Sequence, residues 1–111
     1  RLAFARKRGE DAHVLVMPAD GGKPDELVVE PGKSWPGGWS PDGDKIAFVR
    51  LRDGHWNLWW VSRSTRRQRQ LTRFETLNNY LRYPAWSPRG DRIVFEVAET
   101  AGDLWLYEPG K

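Results

Sequence analysis

Two histidines, His13 and His55, are the only imidazoles in this 111-residue chain. Each stands at the start of a short apolar run. No Cys, and no recurring carboxylate spacing near them, completes a metal-ligand pattern. Both read as histidines in hairpin turns, so neither a metal nor a cofactor is assigned. The carboxylates Glu10, Asp11, Asp42, Asp44, Asp53, Asp91, Glu99 and Asp103 also fall in polar turns between apolar runs. A glycosidase needs two of them set apart as acid and base, and nothing singles out such a pair. Ser40 and Ser87 occupy matching positions in a repeated phrase, and no G-x-S-x-G elbow surrounds either. Gly21-Gly22-Lys23 is a lone turn rather than a phosphate loop. No catalytic residue is assigned.

The densest charge feature is the run Arg63, Arg66, Arg67, Arg69, Arg73. A single-strand nucleic-acid surface would interleave such charges with exposed aromatics. Here the aromatics recur at matched positions, Trp39 with Trp86 and Trp59 with Trp105. Those four are expected to be mostly buried. The run reads instead as charge that protects an outer edge strand from pairing, and nucleic acid is not expected as a partner. The formal net charge of +3 is too mild to argue otherwise.

These residues are positioned by a repeat. Residues 39 to 48 read WSPDGDKIAF and residues 86 to 95 read WSPRGDRIVF, with seven of ten positions identical at an offset of 47. After each phrase come a polar turn and a second apolar run, Asn57-Leu58-Trp59-Trp60 and Asp103-Leu104-Trp105-Leu106. Leu2-Ala3-Phe4 and His13-Val14-Leu15-Val16 match the middle copy at an offset of 44. The runs are short, rich in β-branched and aromatic residues, and bounded by Gly, Pro, Asp or Asn, which is the pattern of strands. They are apolar throughout rather than in alternation, which predicts sheets covered on both faces. Each full unit reads as four strands, with Trp-Ser-Pro closing the first and Asp42-Gly43 or Arg89-Gly90 turning into the second.

A four-stranded unit of about 44 to 47 residues has the length of a propeller blade. The wording, WSPDG then IAF and later Gln70-Leu71-Thr72, resembles the TolB-like propeller repeat over nearly the whole chain. It departs at Thr65-Arg66, where a Gly is common, and at Arg89, which replaces the turn Asp. The expected fold is all-β, a partial propeller of about two and a half four-stranded antiparallel blades: a partial blade at 1–31, a full one at 35–73 and a partial one at 82–111. The first lacks its innermost strand and the last its outermost. Two arrangements satisfy the open end faces: an excerpt of a larger propeller, or copies that complete a ring together. The chain starts at Arg1 without Met or a signal peptide, which reads as a processed or trimmed piece.

The stretch Phe74 to Tyr83 is longer than a usual connection between blades. It would reach one rim near the channel, and Tyr80, Arg82 and Tyr83 suit an interface anchor. Asn78, Asn79, Tyr80, Arg82 and Tyr83 are the candidate partner-binding residues. Resemblance to TolB implies a non-catalytic module that binds protein partners in the bacterial envelope, where that family works with peptidoglycan-associated lipoprotein. The same repeat wording also implies two alternatives: the substrate-gating propeller of a prolyl-oligopeptidase-like serine peptidase, or a sensor propeller fused to a regulatory domain. No run approaches the ~18 apolar residues of a membrane helix, so membrane insertion is not expected.

Overall fold

A computed structural model describes residues 2–18, 20–75, 80–98 and 103–107, and their side chains except those of residues 8, 80, 98 and 103–107. Ten strands are found there: β1 (Leu2–Arg8), β2 (Asp11–Met17), β3 (Asp25–Val28), β4 (Lys33–Trp39), β5 (Lys45–Arg52), β6 (His55–Ser62), β7 (Gln68–Gln70), β8 (Tyr80–Trp86), β9 (Ile93–Ala98) and β10 (Asp103–Tyr107). Among the described residues no helix is long and apolar enough to cross a membrane.

The strands form three antiparallel blades. β1, β2 and β3 pair in order, as do β4 to β7 and β8 to β10. The first two blades are paired strand to strand at one parallel position, Ala12 with Lys33. There the Ala12 N–H donates to the Gly32 carbonyl at 3.0 Å, and the Gly32 N–H donates to Asp11 Oδ1 at 3.0 Å.

The middle blade explains why its strands are apolar throughout. Side chains alternate across a strand, and β5 has a neighbour on each face. Ile46 and Phe48 pack with Val14, Val16, Leu27 and Val28 of the first blade. Ala47 and Val49, with Leu58, pack with Leu81, Ile93, Phe95 and Val97 of the third. All four β5 residues are buried.

The turns follow the sequence chemistry. β5 and β6 are joined by Asp53-Gly54, with φ of 53° and 80°, and Arg52 pairs with His55. That is the Asp-Gly type I′ hairpin. In the WSPDG turn Gly43 has φ 77° and its N–H donates to the Ser40 carbonyl at 2.9 Å. Ser40 Oγ accepts the Lys45 N–H at 3.0 Å and donates to Asp42 Oδ1 at 2.5 Å. In the third blade Arg89 cannot take the place of Asp42. Asp91, the counterpart of Asp44, does so instead: Ser87 Oγ donates to it at 2.8 Å and accepts the Arg92 N–H at 3.2 Å. These bonds hold the carboxyls of Asp42 and Asp91 below the usual aspartate range. Both serines are structural.

Three of the four matched tryptophans have most of their surface covered, at the margins of the two cores rather than their centres. Trp39 and Trp59 lie half-buried against the first core and Trp86 against the second. The Trp105 side chain lies outside the described residues. An indole N–H needs a polar partner, which favours the margin of a core over its centre. Trp86 Nε1 meets that need by donating to the Gly38 carbonyl at 3.1 Å.

Candidate partner-binding rim

Because neighbouring strands are antiparallel, the starts of β4, β6 and β8 and the ends of β5 and β9 share one end of the blades. An apolar cleft of about 380 Å³ opens there between the second and third blades. Trp35 and Pro36 of β4, Val49 of β5 and Trp56 of β6 form one wall, and Leu81 to Pro84 of β8 form the other.

The floor is set by how closely the innermost strands approach. β4 and β8 each have an irregular register at the same place, between Pro36 and Trp39 and between Arg82 and Ala85. Pro84 fills the space a side chain on Gly37 would need. A Cβ there would stand 2.5 Å from the Pro84 carbonyl oxygen and closer still to its ring. Only glycine fits.

The same irregularity throws Tyr83 outward. Its φ is 58° and it is 72% exposed. A bulky residue with positive φ is a genuine outlier, and here it also precedes a proline, which favours extended backbone. Arg82 sits opposite Glu96 and donates from Nε to Glu96 Oε1 at 2.8 Å, while its guanidinium lies 5.4 Å over the Tyr83 ring. Trp35 is 37% exposed across the cleft. Together these side chains present aromatic surface around an apolar slot, with one guanidinium already neutralised.

Of the residues proposed from sequence, Arg82 and Tyr83 line this cleft. Tyr80 opens β8, and Asn78, Asn79 and the Tyr80 side chain lie outside the described residues. Sequence reasoning missed Trp35 and Trp56. A signal for Trp35 existed: it is a tryptophan whose counterpart 47 residues on is Arg82, so it does not belong to the repeat's own core set.

The arginine run does more than guard an edge. Arg66, at φ 63°, reaches back 41 residues to Asp25, with Nη2 2.7 and 2.6 Å from its two oxygens, and Nη1 donates to the Glu26 carbonyl at 2.9 Å. It ties the β6–β7 hairpin to the first blade. Nearer the rim, Arg50 is buried between the blades. It donates from Nε to Ser34 Oγ at 3.3 Å and from Nη2 to Gln68 Oε1 at 2.6 Å, and its guanidinium lies 4.2 Å over Trp59. Burial pulls it down to about 10, so it stays charged at neutral pH. Its nearest carboxylate, Glu30, is 3.5 Å away.

His55 lines a separate cleft of about 260 Å³ with Arg52 and Arg73, and its Nδ1 is buried and makes no hydrogen bond among the described residues. No group of three or more His, Cys, Asp or Glu among the described residues is placed to hold a metal.

The fold defines a class, a portion of a β-propeller. Among solved structures it is similar to a putative TolB from Agrobacterium tumefaciens, at 23% identity and TM-score 0.81, over 96% of this chain and 38% of that one. It is also similar to TolB from Acinetobacter baumannii, at 21% identity and TM-score 0.78, over 96% of this chain and 27% of that one. The chain therefore has the TolB-like propeller fold and spans well under half the length of either structure. No protein-family model and no curated protein matches it.

Proposed function

We propose that this chain is a non-catalytic propeller module that binds a protein partner at the rim cleft of Trp35, Trp56 and Tyr83. One observation carries the reading: Tyr83, held in a left-handed conformation that a bulky side chain resists, is also the most exposed of the large apolar residues described. Backbone strain of this kind costs of order 1–3 kcal/mol, and such residues cluster at functional sites. Exposed Tyr and Trp around a pocket are the side chains that most often dominate binding energy. The reading extends to a larger propeller, completed by further blades or by copies of the chain, in an extracytoplasmic setting. That extension rests on resemblance to TolB.

The probe is the partner that resemblance implies, the soluble domain of a peptidoglycan-associated lipoprotein, titrated calorimetrically against the chain. Tyr83→Ala and Trp35→Ala are each expected to weaken binding at least ~10-fold. Val29→Ala, which trims an exposed apolar residue elsewhere, is expected to leave it unchanged. Full affinity in the Tyr83→Ala variant would sink the rim reading.

A further inference from the structure

At the opposite end of the strands, the hairpin from Pro18 to Pro24 and the hairpin from Ser62 to Arg67 flank a second seam cleft of about 230 Å³. Val16 and Pro18 make its apolar wall, and its charged lining is Lys23, Arg63 and Asp25. The Gly21 N–H donates to the Pro18 carbonyl at 3.0 Å, which closes the turn that presents Lys23.

The charges here do not cancel. Asp25, the one carboxylate in the lining, has both oxygens engaged by Arg66 at 2.7 and 2.6 Å. Asp20, in the same hairpin as Lys23, is exposed, and Asp44, beside the other hairpin, accepts from Ser62 Oγ at 2.7 Å and from the Ser64 N–H at 3.1 Å. These bonds hold its carboxyl below the usual aspartate range and direct it into its own turn. Lys23 and Arg63 are left without a carboxylate partner among the described residues. Arg63 carries the second observation. Its Nε is buried and makes no hydrogen bond among the described residues. A guanidinium that is partly desolvated with a donor unspent is under-compensated. Its fork geometry suits an oxyanion better than a single point acceptor.

We infer that this cleft binds a small oxyanion, a phosphate or carboxylate group, between Arg63 and Lys23. Lys23 belongs to the first blade and Arg63 to the second, so a bound anion bridges the blades. It does so beside the Arg66–Asp25 contact and away from the rim cleft. The seam then becomes tighter when the anion is present.

The test is a titration of the full chain with sodium phosphate and, separately, with sodium acetate, at constant ionic strength made up with chloride. The readouts are Tm and the amide chemical shifts of Lys23, Asp25 and Arg63. One of the two anions is expected to raise Tm and to shift these amides saturably. Saturation by phosphate alone assigns a phosphate site, and saturation by acetate alone a carboxylate site. Lys23→Gln and Arg63→Gln are each expected to weaken the response at least fivefold. Lys23 is exposed, so Lys23→Gln keeps the test alive if Arg63→Gln fails to fold. Tyr83→Ala should respond as the unaltered chain does. A response that stays linear in both anions, or that survives unchanged in Lys23→Gln and Arg63→Gln, would overturn the inference.

Discussion

The two seams between blades are built differently. Between the first and second blades an apolar core carries polar ties on either side of it. Arg66 grips Asp25 at one end, and Arg50, Gln68, Ser34 and Glu30 form a network toward the other. Between the second and third blades the core is flanked by shape. Pro84 seats against Gly37, Trp86 donates to the Gly38 carbonyl, and Pro41 of one turn lies beside Gly90 of the next. The same repeated strands are thus joined once by charge and once by close approach. The close-packed seam leaves an apolar slot at the rim, and the charged seam leaves a basic one at the opposite end. Where a repeat stacks on itself, its strands specify the core, and residues outside the repeat decide what each junction can bind.

The largest effect is expected where the innermost strands of two blades approach most closely. Gly37→Ala places a Cβ 2.5 Å from the Pro84 carbonyl oxygen and nearer still to its ring. The innermost strands must separate, which should cost about 3 kcal/mol by urea titration. Gly43→Ala is the control. Its φ is 77° and nothing lies within 4 Å of the added Cβ, so only the backbone conformation resists, at about 1 kcal/mol. Equal losses from the two would mean that the Gly37–Pro84 contact does not hold this seam.

Much of the fold was legible because its signals are local. The doubled WSP-x-G phrase, the Asp53-Gly54 hairpin and the continuous apolar runs each report a turn or a two-sided strand within a few residues. Even the odd Arg89 has a local answer in Asp91. The polar ties were illegible for the opposite reason. Arg66 meets Asp25 41 residues away, and Arg50 meets Gln68 at a separation of 18. No periodicity encodes either. Within a run of five arginines, nothing in sequence separates the one that ties two blades from those that face water. The rim was half legible. Tyr83 and Arg82 stand in a stretch that breaks the pattern, whereas Trp35 sits inside a strand and gains its meaning only when β8 is laid beside β4.

The charged seam should lose less than the close-packed one, and the loss should depend on what replaces the charge. Arg50→Ala removes a stem packed on Trp59 and leaves Gln68 and Ser34 without their donor. A cost of about 2–3 kcal/mol is expected, below that of a fully buried pair because Glu30 remains 43% exposed. Arg50→Met keeps the stem and discards the desolvated charge, and should recover at least half of that loss. If Arg50→Met is as damaging as Arg50→Ala, the network's hydrogen bonds and not its packing secure the seam.

The smallest effect is a pH dependence confined to the same network. Burial pushes the Glu30 carboxyl up. The bonds to both its oxygens from Gln68 Nε2, 2.9 Å each, outweigh that, with help from backbone N–H groups and from Arg50, so the net shift is below the ordinary 4.5. A carboxyl depressed in the folded state stabilises the fold above its unfolded value, and that contribution fades as pH falls through the folded one. Asp42, Asp44 and Asp91 are depressed as well and act in the same direction. They do so in any Glu30 variant, so the comparison isolates the seam. Tm of the unaltered chain should exceed that of Glu30→Gln at pH 7, and the two should converge as pH falls below 4.5 and the folded carboxyl takes up its proton. Parallel curves would mean that Glu30 contributes through its amide contacts alone, and that charge plays no part in joining the first two blades near the rim.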